Sequence, residues 1–217
     1  MSQHRPSVLP SGLRFPGWVI LTLLATLIGL VSLRYALPHI PFPAGLPNVL
    51  VRHKWLVAHA VLASIALLIG PWQFLPLVRL RWRVVHRWIG RVYCSTVILG
   101  WLASLPIAAH ANGGPISSAG FLILGMLWAG STAAGYFTIR SGDVASHRKW
   151  MIRSYALTAA AITLRIYLPL LPLTGISFLI SYRIVAWMCW IPNLIFAEWL
   201  CRQQTRIPAA ESIQISM

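Results

Sequence analysis

Six stretches of this 217-residue chain are each long and apolar enough to cross a lipid bilayer, and nothing else constrains its fold as strongly. The hydrocarbon core of a bilayer is about 30 Å thick and takes roughly 20 mainly apolar residues in helix. The stretches run 17–37, 55–78, 88–109, 117–139, 148–171 and 178–201. Backbone groups in hydrocarbon must bond within their own segment, which a helix achieves. Hydrophobic residues make up 58% of the chain, and only three acids occur. That composition excludes a soluble globular domain. The expected fold is therefore all-α: a polytopic bundle of six transmembrane helices over 17–201, with tails at 1–16 and 202–217 and no soluble domain.

A net charge of +15 raises the question of nucleic acid, but the basic residues stand at helix ends rather than on a soluble face. With the N-terminus placed in the cytoplasm, thirteen fall inside: Arg5, Arg14, Arg79, Arg81, Arg83, Arg87, Arg91, Arg140, Arg148, Lys149, Arg153, Arg202 and Arg206. Five fall outside or in the outer half: Arg34, Arg52, Lys54, Arg165 and Arg183. The positive-inside rule then puts both termini in the cytoplasm.

The first stretch is too long for the apolar region of a signal peptide, and no small-x-small cleavage site follows it. Pro38, Pro41, Pro43 and Pro47 make the next connection extended. The other connections are short, so any site must lie inside the bundle or at its rims. Cys94, Cys189 and Cys201 form no CxxC and read as small apolar packing residues.

Polar residues inside the stretches are the informative ones, because hydrocarbon makes them expensive and turns them inward. In the fifth, His147, Met151, Ser154, Thr158 and Arg165 share a face, with Arg165 about 27 Å from His147 at helical rise. In the second, His59, Ala63, Ala66, Gly70 and Gln73 form a narrow stripe. In the third, His86, Gly90, Tyr93, Gly100 and Ser104 do the same from the other end. Gln73, Tyr93, Ser154 and Thr158 are the expected polar interior, with the three histidines facing Arg165 and Gln73. Small residues on these faces admit a neighbouring helix or a flat ligand. The fourth stretch shows no such stripe: Gly120, Gly125, Gly130 and Gly135 spiral around it, and packing accounts for them. The sixth carries Arg183 and, near its middle, Pro192-Asn193.

Two helix starts read almost alike. His86-Arg87-Trp88-Ile89-Gly90-Arg91-Val92-Tyr93 opens the third stretch, and His147-Arg148-Lys149-Trp150-Met151-Ile152-Arg153-Ser154-Tyr155 opens the fifth. Either the pairs 3–4 and 5–6 are parallel repeats, or both ends recruited the Arg and Trp that an inner membrane interface attracts. Together with His59, Gly70-Pro71-Trp72-Gln73-Phe74, Gly142-Asp143 and Leu164-Arg165, these residues resemble the bacterial membrane proteins of the domain of unknown function 2306 family, over roughly 54–198. The resemblance implies a multi-pass protein of the bacterial inner membrane and carries no activity with it.

Four readings of the polar residues compete. The first is a b-type haem protein for transmembrane electron transfer. Its ligands would be His86 with His147 at the inner end and His59 with His110 at the outer, and arginines such as Arg87, Arg91, Arg153, Arg165 and Arg183 would meet propionates or other anions. This layout resembles cytochrome b561 but lacks a histidine on the fourth helix, and His110 stands in a turn-like His-Ala-Asn-Gly-Gly-Pro context. The second is a non-haem metal at His86, His147 and Asp143, against which Asp143 sits where a helix cap is wanted. The third is a transporter or receptor for an anionic or amphipathic small molecule, or a quinone, admitted past the outer arginines. The fourth is a structural partner whose histidines merely pair helices. His4, His39 and His53 read as solvated loop residues.

Overall fold

The computed structural model describes the backbone of residues 15–37 and 51–214, and side chains from 16 to 203 within those limits. The expectations for His4, His39, Arg5, Arg14, most of the N-terminal tail and the proline-rich connection lie outside the described residues. Six helical spans are long and apolar enough to cross a membrane, and among the described residues there is no strand. They comprise α1 (Phe15–Leu33), α2 (His53–Gln73), α3 (Arg83–Ala108), α4 (Pro115–Arg140), α5 with α6 (Val144–Thr158 and Ala160–Leu170), and α7 with α8 (Phe178–Met188 and Ile191–Gln214). Boundaries differ from the sequence reading chiefly at two places: α2 ends at Gln73, five residues early, and α3 begins five residues early and so takes His86 into its first turn. The helix α8 also runs on beyond the sixth span into the expected tail.

The spans alternate in direction. Helices α1, α3 and α5 start at one end, here the basic end, where the Leu77–Arg81 turn also lies. In contact order, α2 packs between α1 and α3, α3 against α4, and α4 against both α5 and α7, while α8 covers α5 and α6 meets α7 and α1. Tyr93, Leu67, Val97, Val185 and Cys189 form the fully buried centre. Large apolar side chains cover the outside, Leu23, Phe137 and Ile195 among them, each about two-thirds exposed (65%, 67% and 64%). Such a belt demands hydrocarbon rather than water around it.

Close approach is set at one glycine in particular. A Cβ on Gly70 would collide with the Tyr155 ring, so α2 and α5 touch only because the side chain is missing. The Tyr155 hydroxyl then donates to the Leu67 carbonyl at 3.1 Å. At the basic end Gly142 adopts φ 85°, a left-handed conformation that glycine enters at no steric cost, and so turns α4 into the cap of α5.

Two spans are interrupted, and at the same depth. The sixth breaks at Cys189-Trp190 because Pro192 has no N–H to give to the preceding turn. The fifth breaks at Ala159, beside which the Thr158 hydroxyl oxygen lies 2.9 Å from Ser154 O and that of Thr163 3.2 Å from Ala160 O. The two breaks are stapled together. The Thr163 hydroxyl donates to Cys189 O, and Asn193 Nδ2 reaches Ala156 O at 3.3 Å, Thr163 Oγ1 at 3.3 Å and Cys189 O at 3.2 Å.

Candidate functional site: a polar cavity inside the bundle

The inward faces of α2, α3, α4, α5 and α6 do not close completely. They leave a cavity of about 210 Å³ in the half away from the basic end. Its polar lining is His59, Ser104, Trp128, Thr158, Arg165 and Tyr182, and its walls include Leu56, Ile107, Phe121, Leu124 and Leu164. The break in the fifth span forms one wall, since Leu157, Thr158, Ala160 and Ala161 all border the space.

His59 is held by its backbone partner. Nδ1 lies 2.9 Å from the Gly100 carbonyl, which can only accept, so the proton sits on Nδ1 and Nε2 is left as an acceptor in the neutral ring. The edge of Trp128 faces the imidazole at 6.3 Å between ring centroids. Arg165 spends Nη1 on the Ala161 carbonyl at 3.0 Å. No carboxylate among the described residues lies within ion-pair distance of it.

Beneath the cavity, four buried hydroxyls form a chain from Thr158 through Tyr93 and Ser154 to Thr132, with oxygens 2.8, 2.8 and 2.7 Å apart. Trp128 Nε1 donates into it at Thr158, 2.8 Å away. The chain can be satisfied in two directions. Protons can point from Thr132 toward Thr158, ending on Ser154 O, or from Thr158 toward Thr132, ending on Trp128 O at 2.8 Å. Every hydroxyl donates once in either case, so this interior is polar but closed.

Other residues singled out in the sequence have definite fates. Tyr93, Ser154 and Thr158 are buried as expected. Arg87 and Arg91 are exposed, and Arg91 lies over the Trp88 ring at 5.0 Å, so neither meets an interior anion. Arg153 forms a two-pronged ion pair with Glu198, Nε to Oε1 at 2.5 Å and Nη2 to Oε2 at 3.0 Å. Arg183 donates Nε to the Gly113 carbonyl at 2.9 Å. Of the five arginines expected to contact anions, Arg165 alone borders the cavity.

The histidines expected to act in pairs lie in different surroundings. His110 is exposed, bonds Pro106 O at 3.1 Å, and lines with Arg52 a separate open groove of about 560 Å³. His59 lines the interior cavity instead, beside Trp128. At the basic end, His86 and His147 are within electrostatic reach of each other, and His147 Nδ1 bonds the Gly135 carbonyl at 2.7 Å. Asp143 does not join them. It caps α5, accepting from Ser146 N at 2.9 Å, and hydrogen bonds from Ser146 hold its carboxyl below the ordinary range. Among the described residues no three His, Cys, Asp or Glu gather closely enough to hold a metal ion.

The reading of the fourth stretch as free of polar stripes needs correction. Trp128, Thr132 and Gly135 lie at i, i+4 and i+7 and present an indole N–H, a hydroxyl and an uncovered carbonyl to α5. The signal was in the spacing, masked by a glycine period of five that draws attention to packing. Ser104 and Tyr182 complete the cavity lining from α3 and α7.

A family model described as a predicted membrane protein (DUF2306) matches residues 56–201, about two-thirds of the chain. No curated protein and no solved structure matches it.

Proposed function

We propose a function from geometry for this chain, which belongs to the DUF2306 family of predicted membrane proteins: it binds a small anionic or amphipathic molecule within the membrane, as a carrier or receptor. The observation that carries this reading is Arg165. A guanidinium offers five donors in a fixed fork, and here it borders an interior cavity with no acid among the described residues beside it. An ionised residue in a membrane span is costly and marks a ligand or ion path. The apolar walls suit a hydrocarbon tail and the lining hydroxyls suit its polar neck.

Two further features support it. Interrupted helices bordering a midplane cavity are the usual architecture of solute sites in membrane carriers, and the fifth span breaks at that wall. The acceptor Nε2 of His59 gives the site one group that discriminates a protonated ligand atom from a bare anion. By the distribution of basic residues the site opens to the outside of a bacterial inner membrane, with both termini in the cytoplasm. Reporter fusions at Gly113 and at the C-terminus test that orientation and are expected on opposite sides.

Electron transfer across the membrane by two haems has weaker support, because His59 and His110 border different spaces. The test of the binding reading is thermal unfolding of the purified protein in neutral detergent with octanoate, and with octanol as the uncharged control. Octanoate is expected to raise the midpoint and octanol not to, by the linkage of binding to stability. Arg165→Gln should remove the difference. Equal shifts with both, or a shift that survives Arg165→Gln, would sink the proposal.

A further inference from the structure

The basic end, opposite the cavity, collects polar and cationic side chains, two of which have a buried nitrogen with no hydrogen-bond partner among the described residues. Gln73 closes α2, Arg79 stands in the Leu77–Arg81 turn, His86 lies in the first turn of α3, and His147 with Arg148 opens α5. The Gln73 side chain lies over Gly90, one turn on from His86: a Cβ there would sit 3.6 Å from Gln73 Oε1. His86 Nδ1 and Gln73 Nε2 are both shut away from solvent, and neither has a hydrogen-bond partner among the described residues. Buried polar groups are nearly always satisfied, so two unmet ones on facing elements call for an explanation.

Charge points the same way. His147 and Arg79 lie within electrostatic reach of His86, and Arg79 within reach of Arg148. The guanidinium cations of Arg79 and Arg148 repel one another, and no carboxylate among the described residues relieves them. Glu198 is taken by Arg153, Asp143 by the cap of α5, and Glu211 stands beyond the described side chains. The guanidinium at Arg153 shows what a met arginine looks like here, and Arg79 and Arg148 have no such carboxylate among the described residues.

We propose that Gln73, Arg79, His86 and Arg148 bind a phosphate group at this end of the bundle. Phosphate supplies several acceptor oxygens and negative charge at one point, and arginine forks match its geometry. Two sources share that chemistry. One is the headgroup of an anionic phospholipid, the ligand of basic niches between spans; the other is a phosphate-bearing solute. His147 takes no direct part, because its Nδ1 is committed to Gly135.

The experiment is native mass spectrometry of the full-length protein in neutral detergent, titrated with phosphatidylglycerol, with phosphatidylcholine or with inorganic phosphate. Retention of one phosphatidylglycerol and not phosphatidylcholine identifies a lipid source. Retention of inorganic phosphate without phosphatidylglycerol identifies a free one. In either arm Arg79→Gln with Arg148→Gln should weaken binding about tenfold or more. Arg81→Gln with Arg83→Gln, the same loss of charge from exposed side chains at the same end, should leave it unchanged. If the first pair of substitutions prevents folding, Gln73→Leu gives the same reading without changing charge. The proposal is overturned if neither probe binds, or if the two double variants behave alike. A Soret band in the purified protein that His86→Ala removes also overturns it, since His86 would then be serving iron.

Discussion

The third and fifth spans begin with nearly the same residues, His86-Arg87 and His147-Arg148, yet α3 crosses unbroken to α4 while the fifth and sixth spans are both interrupted in mid-course. The cause lies downstream of the shared start. Proline occurs in both halves, but Pro106 stands in the last turn of α3, whereas Pro192 falls in mid-span and ends α7. The fifth span breaks at Ala159 without a proline there, and back-bonding hydroxyls do not account for it, because Thr96, Ser131 and Thr132 bond back in the same way in α3 and α4 without a break. For proline, position rather than presence decides whether the helix breaks. The difference reaches the histidines too. His147 finds the Gly135 carbonyl, while His86, at the matching place in α3, leaves Nδ1 unmet. If the halves arose as repeats, one kept a regular scaffold and the other opened a wall of the cavity.

The largest effect expected on that contrast comes from Gly70→Ala, which drives a methyl group into the Tyr155 ring and pushes α2 off the broken half. A loss of about 1–3 kcal/mol is expected from such overpacking, read as a lower thermal midpoint in detergent. Gly130→Ala on α4, with nothing within 4 Å of the new Cβ, should change little. Equal effects would mean that the α2–α5 contact is not tight.

Asn193→Leu removes the side chain that ties the two breaks together. We expect a loss of about 1–2 kcal/mol, given the modest worth of interhelical polar contacts in membranes, and faster hydrogen exchange around 159–163 and 189–193 but not in α3 or α4. Uniformly faster exchange would show that the halves do not open separately.

Tyr93→Phe cuts the hydroxyl chain joining the regular half to the broken one. Ser154 and Thr158 keep other partners, so about 0.6–1.5 kcal/mol is expected from the same scale. A loss above that range would show that the chain is cooperative.

The smallest effect is that of Asp143→Asn, at the cap that starts the broken half. Hydrogen bonds from Ser146 depress the carboxyl in the folded protein below its ordinary 3.8. Its stabilisation is therefore complete above that value and is lost as pH falls through the depressed one. The variant should melt slightly lower than the parent at pH 7 and equal to it at strongly acid pH. A constant difference across pH would remove the carboxylate from the explanation.

The sequence by itself determined the number of spans, their limits to within a few residues, the all-helical class and the family. Each is a property of one segment at a time: hydrophobic length, the period of polar residues, or a local motif. It also placed Tyr93, Ser154 and Thr158 in the interior, because helical spacing shows which residues share a face. Only the tertiary structure decided which arginine is available. Arg153 meets a partner 45 residues away and Arg183 a carbonyl 70 residues away, while Arg165 meets no acid among the described residues. Periodicity cannot reveal these pairings, because it fixes the face of a helix but not how that helix is rotated against its neighbours. The cavity has the same origin: it is a gap between five spans, and no single stretch of sequence contains it.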